Sequence, residues 1–388
     1  MSHSIVEPQE IVMAVSIRFG VEEEFFLTDL DSGSVVRRPP PAFHKRAQES
    51  LGDSLSHELL QCQVELKTAI LQSSTEALDV LTAGRNRLVE IAKSFDMGIV
   101  AAGTHPLAQW RSQVPTSEER YEELLDDFQI IAQRNLLCGL HVHAEVRPGL
   151  DRIQLMNRVM RWLPLFLALS ASSPYWARQD TGLMSYRQAA YDEWPRTGIP
   201  RLFENEQEYQ RYVGTLIRVR AIADESYIWW ALRPSSRYPT IELRITDVCP
   251  RVVDTACIAE LFRTVVLQES LVADGGDVMN VRDGIERLLI EENRWRAKRF
   301  GVRAKWLDAE SGSNIEMSEC LMQLSRHCEA AVGELGADWA FDHARRIIEE
   351  GSSAERQRRM FSAARTEGLT TSRAFRRVVN ALTAETAG

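Results

Sequence analysis

Residues 17–27 read IRFGVEEEFFL, and apolar and polar side chains alternate along this stretch. The odd positions include Ile17, Phe19, Val21, Phe25 and Leu27, and the even positions include Arg18, Gly20, Glu22 and Glu24. A period of two residues is typical of a β-strand with one face in the core and the other face polar. The stretch therefore predicts a strand that carries Glu22 and Glu24 on an open face.

Other segments repeat the same pattern. Residues 61–68, 137–146 and 240–248 also alternate, and residues 99–103 are compatible with a more buried strand. Clean alternation is typical of an antiparallel or mixed sheet with one face packed and one face open. Helical periodicity at about 75–96, 117–135, 151–170 and 205–224 predicts the helices that cover the apolar face.

The C-terminal third has a different character. After Asp254 the sequence predicts only helices, near 255–272, 284–300, 316–335, 338–350 and 354–364. We expect an α+β fold in a single catalytic domain, 1–388, with a sheet-containing core at about 17–250 and a mainly helical part at about 254–388. Pro, Gly and Ser gather in loops at 37–41, 172–181, 193–200 and 234–239, and residues 193–200 are the predicted lid.

Composition narrows the class of protein. The chain has 46 basic and 55 acidic residues and a formal net charge of −9, which argues against a nucleic-acid or anionic-membrane surface. Residues 1–16 lack the pattern of a leader, and the longest apolar run, 162–171, is shorter than the roughly 20 residues of a membrane helix. We expect a cytoplasmic protein that acts on small molecules and forms a homodimer. The six cysteines include no CxxC pair and are predicted to be buried.

The open face of the predicted sheet collects charged side chains. Its members are Glu22, Glu24, Glu65, His141, His143, Glu242 and Arg244. Crowded carboxylates repel one another, so this arrangement favours cations among them. Mostly oxygen ligands with one or two imidazoles favour Mg²⁺ or Mn²⁺ over zinc. Each motif alone also fits a solvated strand, a hydrogen-bonded histidine or a cross-strand ion pair, but three separate strands with the same arrangement favour a metal site.

Arginines lie in the loops expected to surround this face. They are Arg178, Arg187, Arg196 and Arg233, and guanidinium groups suit phosphate or carboxylate oxygens. Each of them alone is equally compatible with a surface arginine. Neither GxxxxGK[ST] nor GxGxxG occurs, so metals and arginines would have to hold any nucleotide phosphates. GxSxG and HExxH are absent too, which argues against a serine hydrolase or a zincin.

Several motifs occur in a specific order. They are GVEEEF (20–25), QVELKT (63–68), GTHP (103–106), CGLHVH (138–143) and TIELRITD (240–247), with SPYW (173–176), TG (181–182), PRTG (195–198) and NRWRA (293–297). As a set, from about residue 17 to 300, they resemble the glutamate–cysteine ligase type 2 family, the YbdK-like carboxylate–amine ligases. The resemblance implies a glutamine synthetase-like fold, in which a curved antiparallel sheet forms a funnel with metal-binding acids at its floor.

The resemblance also implies roles for individual residues. The implied metal ligands are Glu22, Glu24, Glu58, Glu65, His141 and Glu242; the implied catalytic residues are Arg244, Glu242 and His143; the implied ATP- or substrate-binding residues are Arg178, Arg187, Arg196, Arg233 and Arg244. Glu58 is matched by its distance before Glu65, and His143, Arg178, Arg187 and Arg233 are assigned by position and charge.

The reaction that the resemblance implies has two steps. A glutamate-like carboxylate takes the γ-phosphoryl group of ATP with Mg²⁺ or Mn²⁺, and cysteine or another amine attacks the acyl phosphate and forms a γ-glutamyl-type amide with release of ADP and phosphate. Two alternatives use the same acids. A metal-dependent hydrolase of amide or phosphate substrates would not need ATP, and a non-catalytic metabolite sensor would tolerate lost ligands.

Overall fold

The structure is a computed structural model that describes residues 17–273, 284–309 and 311–388. The expectation for residues 1–16 lies outside the described residues. The strands are β1 (Phe19–Asp29), β2 (Leu55–His57), β3 (Gln63–Lys67), β4 (Met97–Val100), β5 (Gly139–Glu145), β6 (Tyr175–Trp176), β7 (Gln179–Asp180), β8 (Leu232–Pro234), β9 (Thr240–Asp247), β10 (Trp306–Asp308) and β11 (Ser313–Ile315). The first helices are α1 (Pro41–Leu51), α2 (Ser74–Lys93), α3 (Glu119–Phe128), α4 (Ile130–Gln133), α5 (Arg152–Val159), α6 (Leu163–Ser170), α7 (Tyr186–Tyr191) and α8 (Glu206–Arg218). The later helices are α9 (Val252–Ala273), α10 (Gly284–Phe300), α11 (Met317–His327), α12 (Glu329–Leu335), α13 (Asp338–Glu350), α14 (Ser353–Thr366) and α15 (Thr371–Ala387).

The main sheet is antiparallel throughout. Its strands follow the order β2-β3-β1-β5-β9-β8, and β4 pairs with the C-terminal half of β1. The predicted antiparallel sheet is confirmed, and each of its five predicted strands is present. The short strands β2 and β8 were not predicted, because three residues are too few to show a period of two.

The alternation in β1 has a structural limit. Phe19 and Val21 are buried in the core, as predicted, but Phe25, Phe26 and Leu27 are all buried as well. Phe26 points to the same side of β1 as Glu22 and Glu24, but this end of the strand is covered. The ring of His105 packs edge-on against Phe26, with 5.7 Å between the ring centroids. The open face therefore extends only along the first half of β1.

The helical C-terminal region is confirmed, with two additions. The prediction of no strand after Asp254 was wrong, because β10 and β11 form a hairpin whose turn is closed by the Gly312 N–H on the Asp308 carbonyl at 2.9 Å. Helix α15 was also not predicted, although its buried residues Phe375, Val378, Val379 and Leu382 follow helical spacing. This helix packs against β4 and α14.

Helix α9 explains how the covered face of the sheet is closed. Its residues between Thr255 and Leu267 are buried on all sides, and it packs against β5, α2 and α13. None of the described helices is long and apolar enough to cross a membrane. All six cysteines are buried and free, as the sequence predicts.

One charged pair interrupts the apolar face of β1. Glu23 points away from the open face and is fully buried, where both of its oxygens accept from the guanidinium of Arg85. Arg85 also donates to the carbonyls of Pro250 at 2.6 Å and Cys249 at 2.9 Å, and the Thr255 hydroxyl donates to Glu23 at 2.8 Å. This pair ties the strand of the open-face glutamates to α2 and to the start of α9.

His105 gives a prediction on pH. Its imidazole is buried, and burial lowers the pKa of His105 to about 3, well below the usual value of about 6.5. Between pH 6.5 and pH 3, His105 is protonated in the unfolded chain but not in the folded one. The free energy of unfolding should therefore fall as the pH drops below about 6.5. Between pH 7 and pH 5 we expect a loss of about 2 kcal/mol from this residue.

The measurement is urea unfolding of wild type and His105→Asn at both pH values. The asparagine amide oxygen can replace the imidazole Nδ1, which accepts from the Leu107 N–H at 3.2 Å. The variant should lose less stability than wild type on acidification. An equal loss in both proteins would show that another group causes it.

Candidate active site

Strand register brings the predicted open-face residues together. Glu24 lies directly opposite Glu65, Glu22 opposite His141, and His143 opposite Glu242. Directly opposed residues share a face of an antiparallel sheet. We call Glu22, Glu24, Glu65, His141, His143 and Glu242 the acidic band, and it crosses β3, β1, β5 and β9.

Two sets within the acidic band are close enough for a cation. Ligand atoms of Glu22, His141 and Glu242 all lie within 4.8 Å of one another, and the same holds for Glu24, Glu65 and His141. His141 Nδ1 is 3.4 Å from Glu22, and its Nε2 is 3.9 Å from Glu24. His141 Nε2 is buried and has no hydrogen-bond partner among the residues that the structure describes. A buried imidazole nitrogen of this kind suits metal coordination.

The protonation of the acids also suits bound cations. Burial, with the nearby charge of Glu22, raises the pKa of Glu65 to about 8. Burial and the charge of Glu24 raise the pKa of Glu58 well above its usual value. At neutral pH the protein alone therefore does not favour full ionisation of these carboxyl groups. Divalent cations would remove the repulsion and draw off the protons.

Glu242 has a different environment. Arg233 donates to it at 2.7 Å, and Arg244 donates to its other oxygen. Burial raises the pKa of Glu242, but the two guanidinium groups outweigh burial and hold the pKa below its usual value. Glu242 therefore stays ionised, and both of its oxygens accept hydrogen bonds from arginine.

A β-bulge shapes this end of the sheet. The register of β5 against β9 shifts between Leu140 and Val142, and the N–H groups of Arg244 and Ile245 both donate to the Ala231 carbonyl, at 2.9 and 3.1 Å. An extra residue of this kind reverses the side-chain alternation beyond it. Thr246 consequently lies opposite core-facing Leu140 and is fully buried, so the prediction that Thr246 faces outward was wrong.

A small cavity lies on one side of the acidic band. This inner cavity has a volume of about 130 Å³ and is lined by residues that include Glu24, Glu58, His141, Arg187, Tyr191, Trp194, Trp229 and Arg244. Arg187 is buried, and its guanidinium donates to the Thr246 carbonyl at 3.1 Å. A side chain at Gly139 would collide with that guanidinium, so this close approach requires glycine.

A larger cavity lies on the other side. This outer cavity has a volume of about 360 Å³ and is lined by residues that include Phe19, Glu22, Lys67, Ile70, His143 and Tyr238. Ile70 and Tyr238 are 66% and 58% exposed, which leaves apolar surface at its mouth uncovered. The acidic band therefore separates a small charged cavity from a larger cavity with apolar walls.

The predicted arginines are only partly brought together. Arg187 and Arg244 line the inner cavity, and Arg233, on β8, contacts Glu242. Arg196 donates to the Tyr227 carbonyl and lies over the Trp229 ring at 5.4 Å, outside the lining of both cavities. Arg178 is exposed at the turn between β6 and β7 and lines neither of them. The roles of all five arginines stay predictions.

Sequence reasoning missed several residues of the two cavities. Lys67 lies opposite Glu22 and reaches Glu65, with 2.8 Å between Nζ and the carboxylate. Lys67 follows Glu65 by two residues on the same strand, so the period of two could have placed it on the open face. Tyr191, Trp194 and Trp229 enter the inner cavity from helix and loop segments, where no periodic pattern distinguishes them from core aromatics.

Arg244 gives the second prediction. Its partly buried guanidinium contacts Glu242 and lies 3.4 Å from the Tyr191 hydroxyl, facing the inner cavity. Lysine keeps the charge but cannot engage two oxygens at once. We expect Arg244→Lys to lower the turnover number, kcat, about tenfold or more, with a melting temperature close to that of wild type. Full activity in steady-state assays would reduce Arg244 to one half of a structural ion pair.

An antiparallel sheet with an acidic open face and helices behind it is the architecture of a glutamine synthetase-like fold, and solved structures confirm this fold. A bifunctional glutathione synthetase from Pasteurella multocida matches 96% of this chain and 53% of its own chain with a TM-score of 0.70 at 14% identity. A glutamate–cysteine ligase from Francisella tularensis matches 96% of this chain and 89% of its own with a TM-score of 0.68 at 14% identity.

Sequence comparison identifies the family. Residues 18–379 match the model of glutamate–cysteine ligase family 2, and the chain belongs to that family. A relative from Ectopseudomonas mendocina is 44% identical over 95% of this chain and 96% of its own length, and one from Pseudomonas aeruginosa PAO1 is 38% identical over 96% of each; both carry the provisional name glutamate–cysteine ligase 2. The predicted family is confirmed, and the protein is an enzyme of the amide-forming ligase type.

Proposed function

We propose that the protein is an ATP-dependent carboxylate–amine ligase that joins a glutamate-like carboxylate to cysteine or another amino acid. The carboxylate takes the γ-phosphoryl group of ATP, the amine displaces phosphate from the acyl phosphate, and ADP and phosphate leave. The observation that carries this proposal is the acidic band between two cavities of different character. Phosphoryl transfer depends on positioning and charge neutralisation between two bound substrates, and this arrangement supplies both.

The outer cavity suits the nucleotide. Its apolar walls and its volume of about 360 Å³ can hold a purine ring. Two members of the acidic band, Glu22 and His143, also line this cavity, and the phosphates would point toward them. The Francisella tularensis neighbour was solved in complex with AMP, which is compatible with a nucleotide on this fold. Because the acids lie at the inner end of this cavity, metal would neutralise the terminal phosphates, and γ-phosphoryl transfer is favoured over adenylation.

The inner cavity suits the amino acid whose carboxylate is activated. Arg187 and Arg244 present guanidinium groups to a carboxylate, and Glu24 and Glu58 can attract an ammonium group. Its volume of about 130 Å³ matches a small amino acid rather than a polymer. His141 lines the inner cavity and Glu22 the outer one, with 3.4 Å between His141 Nδ1 and the Glu22 carboxylate, so a carboxylate on one side would face the γ-phosphate across the acidic band.

Divalent ions such as Mg²⁺ or Mn²⁺ would neutralise the charge that develops on the transferring phosphoryl group. The sets Glu22, His141, Glu242 and Glu24, Glu65, His141, with Glu58 beside the second, would hold them. His143, whose Nε2 is 3.6 Å from Glu22, faces the outer cavity and would contact phosphate oxygens.

Residues 193–200 are proposed as the lid that excludes water from the acyl phosphate. Trp194 lines the inner cavity and packs edge-on against Trp229 with 5.1 Å between ring centroids. Glu193 forms an ion pair of 3.1 Å with Arg134, which ties the start of the segment to the residues after α4. An acyl phosphate hydrolyses in water, so a cover of this kind protects the intermediate.

The test is an ATP-consumption assay with Mg²⁺ or Mn²⁺ across carboxylates and amines. We expect glutamate to stimulate ADP release, an amino acid such as cysteine to accelerate phosphate release, and hydroxylamine to trap a hydroxamate. AMP and pyrophosphate as products would contradict the proposed metal placement. ATP use that no carboxylate stimulates, with metal-dependent cleavage of amides or phosphates, would favour the hydrolase instead.

A further inference from the structure

Helix α7 carries two groups of the inner cavity, Arg187 and Tyr191, but it has only six residues. So short a helix does not hold its own position, and its location depends on contacts at its ends. The contacts before Arg187 converge on one buried carboxylate, that of Asp247 at the end of β9.

Asp247 accepts hydrogen bonds from both segments that precede α7. One carboxylate oxygen accepts from the Ser172 N–H at 3.0 Å and from the Ser173 hydroxyl at 2.7 Å. The other oxygen accepts from the Ser185 hydroxyl at 2.9 Å. The β-bulge turns Asp247 toward these residues. Without the bulge, Asp247 would face the core as Leu243 does, four residues earlier. With the extra residue, Asp247 lies opposite Gly139 and faces the other side of the sheet.

The contact reaches Arg187 through one serine. The Ser173 hydroxyl, which donates to Asp247, accepts from the Arg187 N–H at 3.0 Å. Ser173 and Ser185 also form a parallel β-bridge, so the carboxylate holds both sides of the crossing that leads into α7. The Arg187 guanidinium in turn donates to the carbonyl of Thr246, the residue before Asp247.

The surroundings of Asp247 are built closely around its carboxylate. A side-chain carbon at Gly103 would lie 2.6 Å from the Asp247 carboxyl carbon, and the Gly103 N–H donates to the Ser172 hydroxyl at 2.8 Å. Asp247 lines neither the inner nor the outer cavity. A carboxylate removed from water is costly unless it is hydrogen-bonded, so its three donors keep it in place.

We propose that Asp247 is a positioning residue for Arg187: its carboxylate fixes Ser173 and Ser185 and thereby sets the direction of the Arg187 guanidinium in the inner cavity. The inference rests on the proposed function only for the statement that Arg187 contacts substrate.

Hydrogen exchange tests the positioning itself. Ser173→Ala removes the link between Asp247 and the Arg187 N–H, and Asp247→Asn replaces one acceptor oxygen by a donor group. Both variants should speed amide exchange in residues 172–191 about tenfold or more, with α9 unchanged. Ser270→Ala is the matched control, because Ser270 is also fully buried but its hydroxyl donates within α9, to the Val266 carbonyl. Exchange at the wild-type rate in both test variants would overturn the inference, whatever the enzyme's activity.

A double-mutant cycle tests the consequence for catalysis. Ser173→Ala should lower kcat/KM about tenfold in wild type but by less than about twofold in the Arg187→Lys background, while losses of melting temperature add. Additive losses in kcat/KM would show that the serine and Asp247 act on stability alone and would overturn the inference. A wild-type protein without ligase activity would contradict the proposed function, and the exchange experiment would still decide the role of Asp247.

Discussion

Glu22→Gln is expected to lower the affinity for Mn²⁺ about 100-fold and to reduce ligase turnover at least as much. Glu22 lies at the centre of the acidic band, 3.4 Å from His141 and 3.6 Å from His143, and belongs to one of the two cation-binding sets. The amide keeps the shape of the carboxylate but removes its charge and one acceptor oxygen. Because this set adjoins the outer cavity, the nucleotide would lose its closest neutralising contact.

Titration calorimetry with Mn²⁺ measures this effect, first without and then with ATP. Glu90→Gln is the control, because Glu90 is an exposed residue of α2 far in sequence from the band. The control should bind as wild type does. Unchanged affinity in Glu22→Gln would remove Glu22 from the proposed ligands and leave it as a partner of the two histidines.

Arg85→Met is expected to reduce the free energy of unfolding by about 3–5 kcal/mol, because it leaves the buried carboxylate of Glu23 without its partner. Glu23 and Arg85 are 0% and 2% exposed. The substitution also leaves the carbonyls of Pro250 and Cys249 without this donor. Since Glu23 lies between Glu22 and Glu24 on β1, the same change should weaken metal binding by loosening that strand.

Denaturant unfolding of three proteins separates the causes. The double variant Glu23→Leu/Arg85→Met removes both charges and should recover about 2 kcal/mol or more of the loss, since two apolar side chains can replace a buried ion pair. A single-variant loss under about 1 kcal/mol would contradict the expectation that Glu23 depends on Arg85 as its buried partner. No recovery in the double variant would assign the loss to the backbone carbonyls.

Much of the candidate site could be predicted because its chemistry lies on strands. A strand has a fixed period of two, so the pattern around Glu22, Glu65, His141 and Glu242 already indicates which side chains share a face. The family resemblance added Glu58, which lies before β3 and has no periodic signal of its own. The aromatic lining of the inner cavity, such as Trp194 and Trp229, comes from segments without a period and could not be predicted in this way.

The single catalytic domain, the homodimer and the cytoplasmic location stay predictions. The predicted ligand and substrate roles of the site residues await the experiments above.

Local patterns along the chain were enough to predict the five principal strands, the open acidic face and the helical C-terminal region, because each depends on periodicity and burial within a short stretch. Three features emerged only from the folded chain: which residues lie opposite each other, the bulge that turns Thr246 inward and Asp247 toward α7, and the contact of Glu23 with Arg85. The fold also separates Arg187 and Arg244, in the inner cavity, from Arg178 and Arg196 outside it. Strand register, bulges and loop paths are set by packing between residues far apart in sequence, and a local pattern contains no information about those partners.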